Sequence, residues 1–124
     1  MFEQIAPVLA VLDMRQSLAF WQRLGLKLDF ADTQDPDRAR YAAVSRDGLV
    51  LHLQSFAPDQ MQGQGAISLR IRMSDMAALT ALHAEWAALD VVTAPLAQKP
   101  WGTVEFGFYT REGAALFFYI DRPN

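Results

Sequence analysis

The sequence predicts an α+β fold of two pseudo-symmetric β-α-β-β-β modules that share a curved sheet. Hydropathy switches from strand to helix periodicity and back twice along the chain, in the same order each time. Two phrases also recur. Asp13-Met14 returns as Asp75-Met76 at an offset of 62, and Arg46-Asp47-Gly48 returns as Arg111-Glu112-Gly113 at an offset of 65. An internal repeat of this kind constrains architecture more than any single segment does. Finally, 124 residues suffice for one domain, while half of that cannot bury a sheet unaided. The expected organisation is therefore one domain, 1–124, with module one at 5–53 and module two at 67–120.

The elements follow in order. Ile5 to Leu12 is a β-branched and aliphatic run, and Asp13 after it is a good helix N-cap. Met14, Leu18, Trp21 and Leu24 recur at helical spacing, and Gly25 supplies the residue that ends such a helix. Leu26–Phe30 alternates as a strand, and Asp32–Arg38 is polar with an Asp-Pro turn signal. Tyr41–Val44 and Leu49–Leu53 read as strands around the turn Arg46-Asp47-Gly48, and Ser55–Gly65 reads as a linker. The second module repeats the scheme, with a strand at Ile67–Met73 and a helix capped at Asp75. That helix carries Met76, Leu79, Leu82, Trp86 and Leu89 on one face, and a short strand is expected at Val91–Thr93. A loop with Pro95 and Pro100 leads to an aromatic hairpin. Its turn is Arg111-Glu112-Gly113, where glycine can take a positive φ, and Ala114–Ile120 is apolar on both faces, as a central strand would be.

Composition excludes several functions. There is no cysteine, so disulfides and thiolate metal sites are absent. The net charge is −3 without a basic run, so no nucleic-acid partner is expected. The N-terminus lacks the basic start of a signal peptide, and no apolar run is long enough to span a bilayer, so no membrane partner is expected and the expected location is cytoplasmic.

The repeat, together with PVLAVLDMRQSLAFWQRLGL, RDGLVLHL, PWGTVEF and REGAALFF, resembles the glyoxalase/bleomycin-resistance/extradiol-dioxygenase (vicinal oxygen chelate) superfamily. The likeness runs from about Ile5 to Ile120 and is nearest to the bleomycin-resistance proteins. It implies four positions where metal-dependent members place ligands. They fall at Ala6 and Ser68, seven residues before each capping aspartate, and at His52 and Phe117, four residues after each turn glycine. Alanine and phenylalanine cannot ligate, and serine is a poor donor for Zn, Fe or Ni, so no metal and no other cofactor is expected. His83, on the second helix, reads as a packing residue, and Glu105 reads as a structural carboxylate that pairs with Arg70 or Arg72 or bonds the loop before it.

Period-two parity puts His52, Ser68, Arg70, Arg72, Phe117 and Tyr119 on the helix-free face. The resemblance then implies a non-enzymatic protein that sequesters a flat cationic antibiotic of the bleomycin type, in a groove at a homodimer interface. The candidate ligand-binding residues are Phe30, Tyr41, His52, Phe56, Arg70, Trp101, Phe108, Phe117 and Tyr119, with Asp29, Asp32 and Asp35 supplying negative potential. Two alternatives remain: a metal-dependent lyase, isomerase or dioxygenase of the same superfamily, or a binder of some other flat metabolite.

Overall fold

Each helix begins at an aspartate whose side chain takes an otherwise unpaired backbone N–H. In the computed structural model, which describes residues 1–61 and 67–122, Asp13 accepts from the Gln16 amide at 3.1 Å and Asp75 from the Ala78 amide at 2.8 Å. The helices are α1 (Met14–Arg23) and α2 (Met76–Ala87). Gly25 ends the first as expected. At φ 88° it donates to Gln22 while Leu26 donates to Trp21, the paired bonds of a Schellman cap. Arg46 adds a bond of 2.7 Å to the Leu24 carbonyl at the same end.

The chain divides into two compact units, residues 1–65 and 66–124, and each contains one of the predicted modules. In the first, strands β1 (Val8–Val11), β2 (Lys27–Ala31), β3 (Tyr41–Arg46) and β4 (Leu49–Ser55) form one sheet in the order β1-β4-β3-β2. In the second, β5 (Ser68–Arg72), β6 (Ala94–Gln98), β7 (Thr103–Tyr109) and β8 (Ala115–Asp121) repeat that order as β5-β8-β7-β6. The outer first strand of each sheet runs parallel to the last, and the other pairs are antiparallel. The repeat extends to the register. Val8 faces His52 and Arg70 faces Phe117, pairs related by the same offsets of 62 and 65 that the sequence shows. This is the α+β layout of the vicinal oxygen chelate fold.

Alternation sorts each sheet into a helix-side face and an open face. In the first unit Leu9, Val11, Val44, Leu51 and Leu53 are buried with Met14, Leu18 and Trp21 of α1. In the second, Trp86 of α2 meets Phe106, Phe108 and Phe118 edge-on at centroid distances of 6.1, 5.6 and 5.0 Å. His83 packs on Phe106 at 5.2 Å, the packing role expected of it.

Three segments differ from the sequence reading. The run expected from Ile5 becomes a strand only at Val8, and Ile5 is exposed. The strand expected at Val91–Thr93 lies instead at Ala94–Gln98 and includes Pro95. This strand is at the sheet edge with a register shift between Ala94 and Ala97, the setting in which a residue without an N–H costs no ladder bond. The expected linker contains a 3-10 turn at Pro58–Met61, and its remainder from residue 62 lies outside the described residues. No helix among the described residues is long and apolar enough to cross a membrane.

Candidate functional site

The open face of the first sheet gathers three rings. Phe30, on the edge strand β2, lies opposite Ala43 after a bulge, and Ala43 in turn lies opposite His52. A small residue between them leaves room for both side chains. Phe30 stacks on Tyr41 at 6.1 Å, and His52 meets Phe30 and Tyr41 edge-on at 5.6 and 5.4 Å. The Tyr41 hydroxyl and His52 Nδ1 share a hydrogen bond of 2.7 Å, which fixes both rings. Phe30 is 46% exposed, so the cluster presents a ring face to solvent.

Acidic groups lie beside it, each with a local partner. Asp29 pairs with Lys27 at 3.1 Å, and a hydrogen bond from Ser45, then Lys27, holds its carboxyl below the usual carboxylate range. Asp32 accepts from the Arg40 amide at 2.9 Å, and Asp35 accepts from the Asp37 amide at 3.1 Å. Asp32 and Asp35 shape the loop that follows β2.

The open face of the second sheet is organised by Glu105, which is 3% exposed. Its Oε2 accepts from Arg70 Nη2 at 2.6 Å, from the Thr103 hydroxyl at 2.7 Å and from the Trp101 indole at 3.4 Å. Burial by itself would raise the Glu105 pKa, but the bonds from Arg70, Thr103 and Trp101 outweigh it and leave the carboxyl below its ordinary value. Arg70 lies over the Tyr119 ring at 4.7 Å. The Lys99–Gly102 turn has proline in its second place and Gly102 at φ 96°, with Gly102 donating to Lys99 and Lys99 to Thr103. It leaves Trp101 62% exposed, with Lys99 Nζ 5.9 Å from the ring.

Phe117 lies opposite Gly107. A β-carbon at Gly107 would come within 2.6 Å of the Phe117 ring and 2.5 Å of the Leu116 carbonyl oxygen. The missing side chain therefore lets Phe117 lie down on the sheet, where Tyr109 meets it edge-on at 6.2 Å.

The structure thus brings Phe30, Tyr41 and His52 together in one unit, and Arg70, Trp101, Phe117 and Tyr119 onto one face of the other. Phe108 requires correction. It is fully buried on the α2 side between Trp86 and Phe118, because its parity on β7 is opposite to that of Glu105, so it belongs to the core and not to a ligand surface. Phe56 follows β4, half-buried, with its amide bonded to Val11, and makes none of the ring contacts of the trio. Thr103 and Gly107 were not singled out from sequence. Their signal was a lone carboxylate and a lone glycine inside an otherwise apolar aromatic strand.

The four family ligand positions do not fit a catalytic metal. Ala6 precedes β1, Ser68 opens β5, Phe117 covers Gly107, and His52 Nδ1 is engaged by Tyr41. Among the described residues no three His, Asp or Glu side chains are grouped to hold an ion.

Comparison with known proteins agrees with this fold. No curated protein matches the chain in sequence. Among solved structures, it is similar to a bleomycin resistance determinant encoded on transposon Tn5 (TM-score 0.75, 18% identity, covering 98% of this chain and 100% of that one). It is also similar to a bleomycin-binding protein complexed with bleomycin (0.73, 18%, 99% and 100%), and to a lactoylglutathione lyase from Agrobacterium tumefaciens (0.68, 14%, 95% and 92%). A family described as glyoxalase superfamily protein matches residues 1–89, well over half of the chain. With the duplicated module and its conserved register offsets, that match shows that the chain belongs to the glyoxalase superfamily.

Proposed function

We propose that the protein is a non-enzymatic binder of flat small molecules, and that its ligand is a planar, cationic antibiotic of the bleomycin type. The observation that carries this reading is the Phe30–Tyr41–His52 cluster. Two stacked rings and a hydrogen-bonded imidazole on an open sheet face form a preorganised platform beside three carboxylates. Stacking on such a surface contributes about 0.5–1.5 kcal/mol per ring pair beyond buried area. The net charge of −3 favours a cation. The similarity to a bleomycin-binding protein supports the ligand class, and the identities at Ala6, Ser68 and Phe117 support a role without metal catalysis.

The working form in this proposal is a homodimer. Phe30, Tyr109 and Trp101 are large, exposed side chains on or beside the open faces, and apolar surface of that extent is usually covered.

The test is a fluorescence titration with metal-free and copper-loaded bleomycin, followed by other flat antibiotics. Trp21 and Trp86 are buried and Trp101 is exposed, so calorimetry is run beside the fluorescence and reports binding at the Phe30–Tyr41–His52 platform whether or not an indole responds. Saturation with one of these compounds supports the proposal. No saturation with any of them, together with about one Zn, Ni, Mn or Fe per chain by elemental analysis, would replace it with the metalloenzyme alternative.

A further inference from the structure

We propose that Arg70 anchors an oxyanion seat on the open face of the second unit, and that this seat takes a carboxylate carried on a flat ring. Burying a carboxylate is unfavourable unless the groups around it need the charge. Glu105 is buried on a sheet face that is otherwise half open, and its Oε2 collects three donors. The effect on Arg70 is specific. One guanidinium nitrogen, Nη2, is held at 2.6 Å by Glu105, and the plane is held over Tyr119 at 4.7 Å.

Among the described residues Glu105 is the acceptor this guanidinium bonds, and the side chain remains 42% exposed. A guanidinium has five N–H donors in a rigid fork. Nε and Nη1 therefore keep their donors for another acceptor, in an orientation already fixed by two contacts. Arg72, two residues along β5 on the same face, differs in this respect: it is more exposed and lies 3.7 Å from Asp121.

What lies beside the fork sets the rest of the ligand. Phe117 pairs with Arg70 in the ladder, and its ring lies over Gly107 and does not stand off the sheet. Tyr119 continues the same face. An apolar floor beside an oriented guanidinium matches an aromatic acid: the ring lies on Phe117 and the carboxylate takes the fork. Charge-assisted bonds of this geometry are about twice as strong as neutral ones. These residues are distinct from the Phe30–Tyr41–His52 cluster, so the seat stands or falls separately from the cationic ligand proposed above.

The experiment compares naphthalene-2-carboxylate with its neutral isostere naphthalene-2-carboxamide by calorimetry on the full chain. The carboxylate is expected to bind at least about tenfold more tightly. In Arg70→Met that preference is expected to vanish, the carboxylate losing more affinity than the carboxamide; in Arg72→Met the preference is expected to remain. Because Arg70→Met leaves Glu105 buried without its cation, the double variant Arg70→Met/Glu105→Gln removes both charges together, and it is expected to bind both probes alike while staying folded. Equal affinity of the native protein for the two probes, no binding of either, or a carboxylate preference that survives in the folded double variant would each overturn the seat.

Discussion

Glu105 gives the fold an acid-sensitive contribution. Its folded pKa lies below the ordinary 4.5, so below that pH the unfolded chain takes up a proton that the folded chain resists. The stabilisation is complete above about pH 4.5 and is lost as pH falls through the folded value. Denaturant unfolding from pH 6 to 3 is therefore expected to show a shallower acid loss in Glu105→Gln than in the native protein. At neutral pH the same variant should be less stable by about 1–3 kcal/mol, the cost of weakening a buried, charge-assisted cluster; parallel pH profiles would refute the assignment. Trp101 gives a contrasting expectation. Its exposure and its long 3.4 Å bond to Glu105 leave little stability in the ring. Trp101→Ala is expected to lower affinity for a flat ligand roughly tenfold. Its melting temperature should move by less than the about 4 °C that 1 kcal/mol shifts a domain of this size. Normal binding with a lower melting temperature would make Trp101 a loop anchor instead.

At the scale of elements, the helix termini and the aromatic layer carry the stability. Gly25→Ala places a side chain at φ 88°, and its β-carbon would lie 2.8 Å from Arg46 Nη1, the group that bonds the Leu24 carbonyl. A loss of about 1–2 kcal/mol is expected from denaturant melts, more than backbone entropy could return. Trp86→Ala removes the side chain on which Phe106, Phe108 and Phe118 converge and is expected to cost about 3–5 kcal/mol. These were legible features: Asp13, Asp75 and Gly25 signal their caps by residue type, and Trp86 falls on the apolar helix stripe. The strand at Ala94–Gln98 was not legible, because Pro95 reads as a breaker unless the strand is known to be an edge. Phe108 was misplaced for a different reason. Aromatic identity suggests stacking surface, while period-two parity, counted from Glu105, already assigns the side chain to the core.

At the scale of the whole molecule, the duplication was legible because two offsets, 62 and 65, survive in the ladder register. The site was legible only in part. His52, Arg70 and Tyr119 follow from parity, and the pairing of Glu105 with Arg70 and with the loop before it was expected, but the Tyr41–His52 bond joins positions 11 residues apart, which no local pattern encodes. The homodimer belongs to this scale too. Sedimentation at micromolar concentration is expected to give a species of two chains, and a single-chain species would count against a groove completed by a second copy.

The parallel pairing of first and last strands has a consequence for synthesis. Within its own sheet, among the described residues, β1 pairs with β4, whose His52 meets Val8; β5 likewise waits for β8, where Ala115 meets Ser68. As the chain leaves the ribosome, each opening strand stays unpaired until more than forty further residues have been made. Closing a loop of that length is entropically costly and slow. The β7–β8 hairpin, joined across Arg111–Gly113, needs no such wait. A nascent chain halted at that turn would hold β5 and β7 with a gap between them where the central strand belongs, leaving two ladder edges open to other chains.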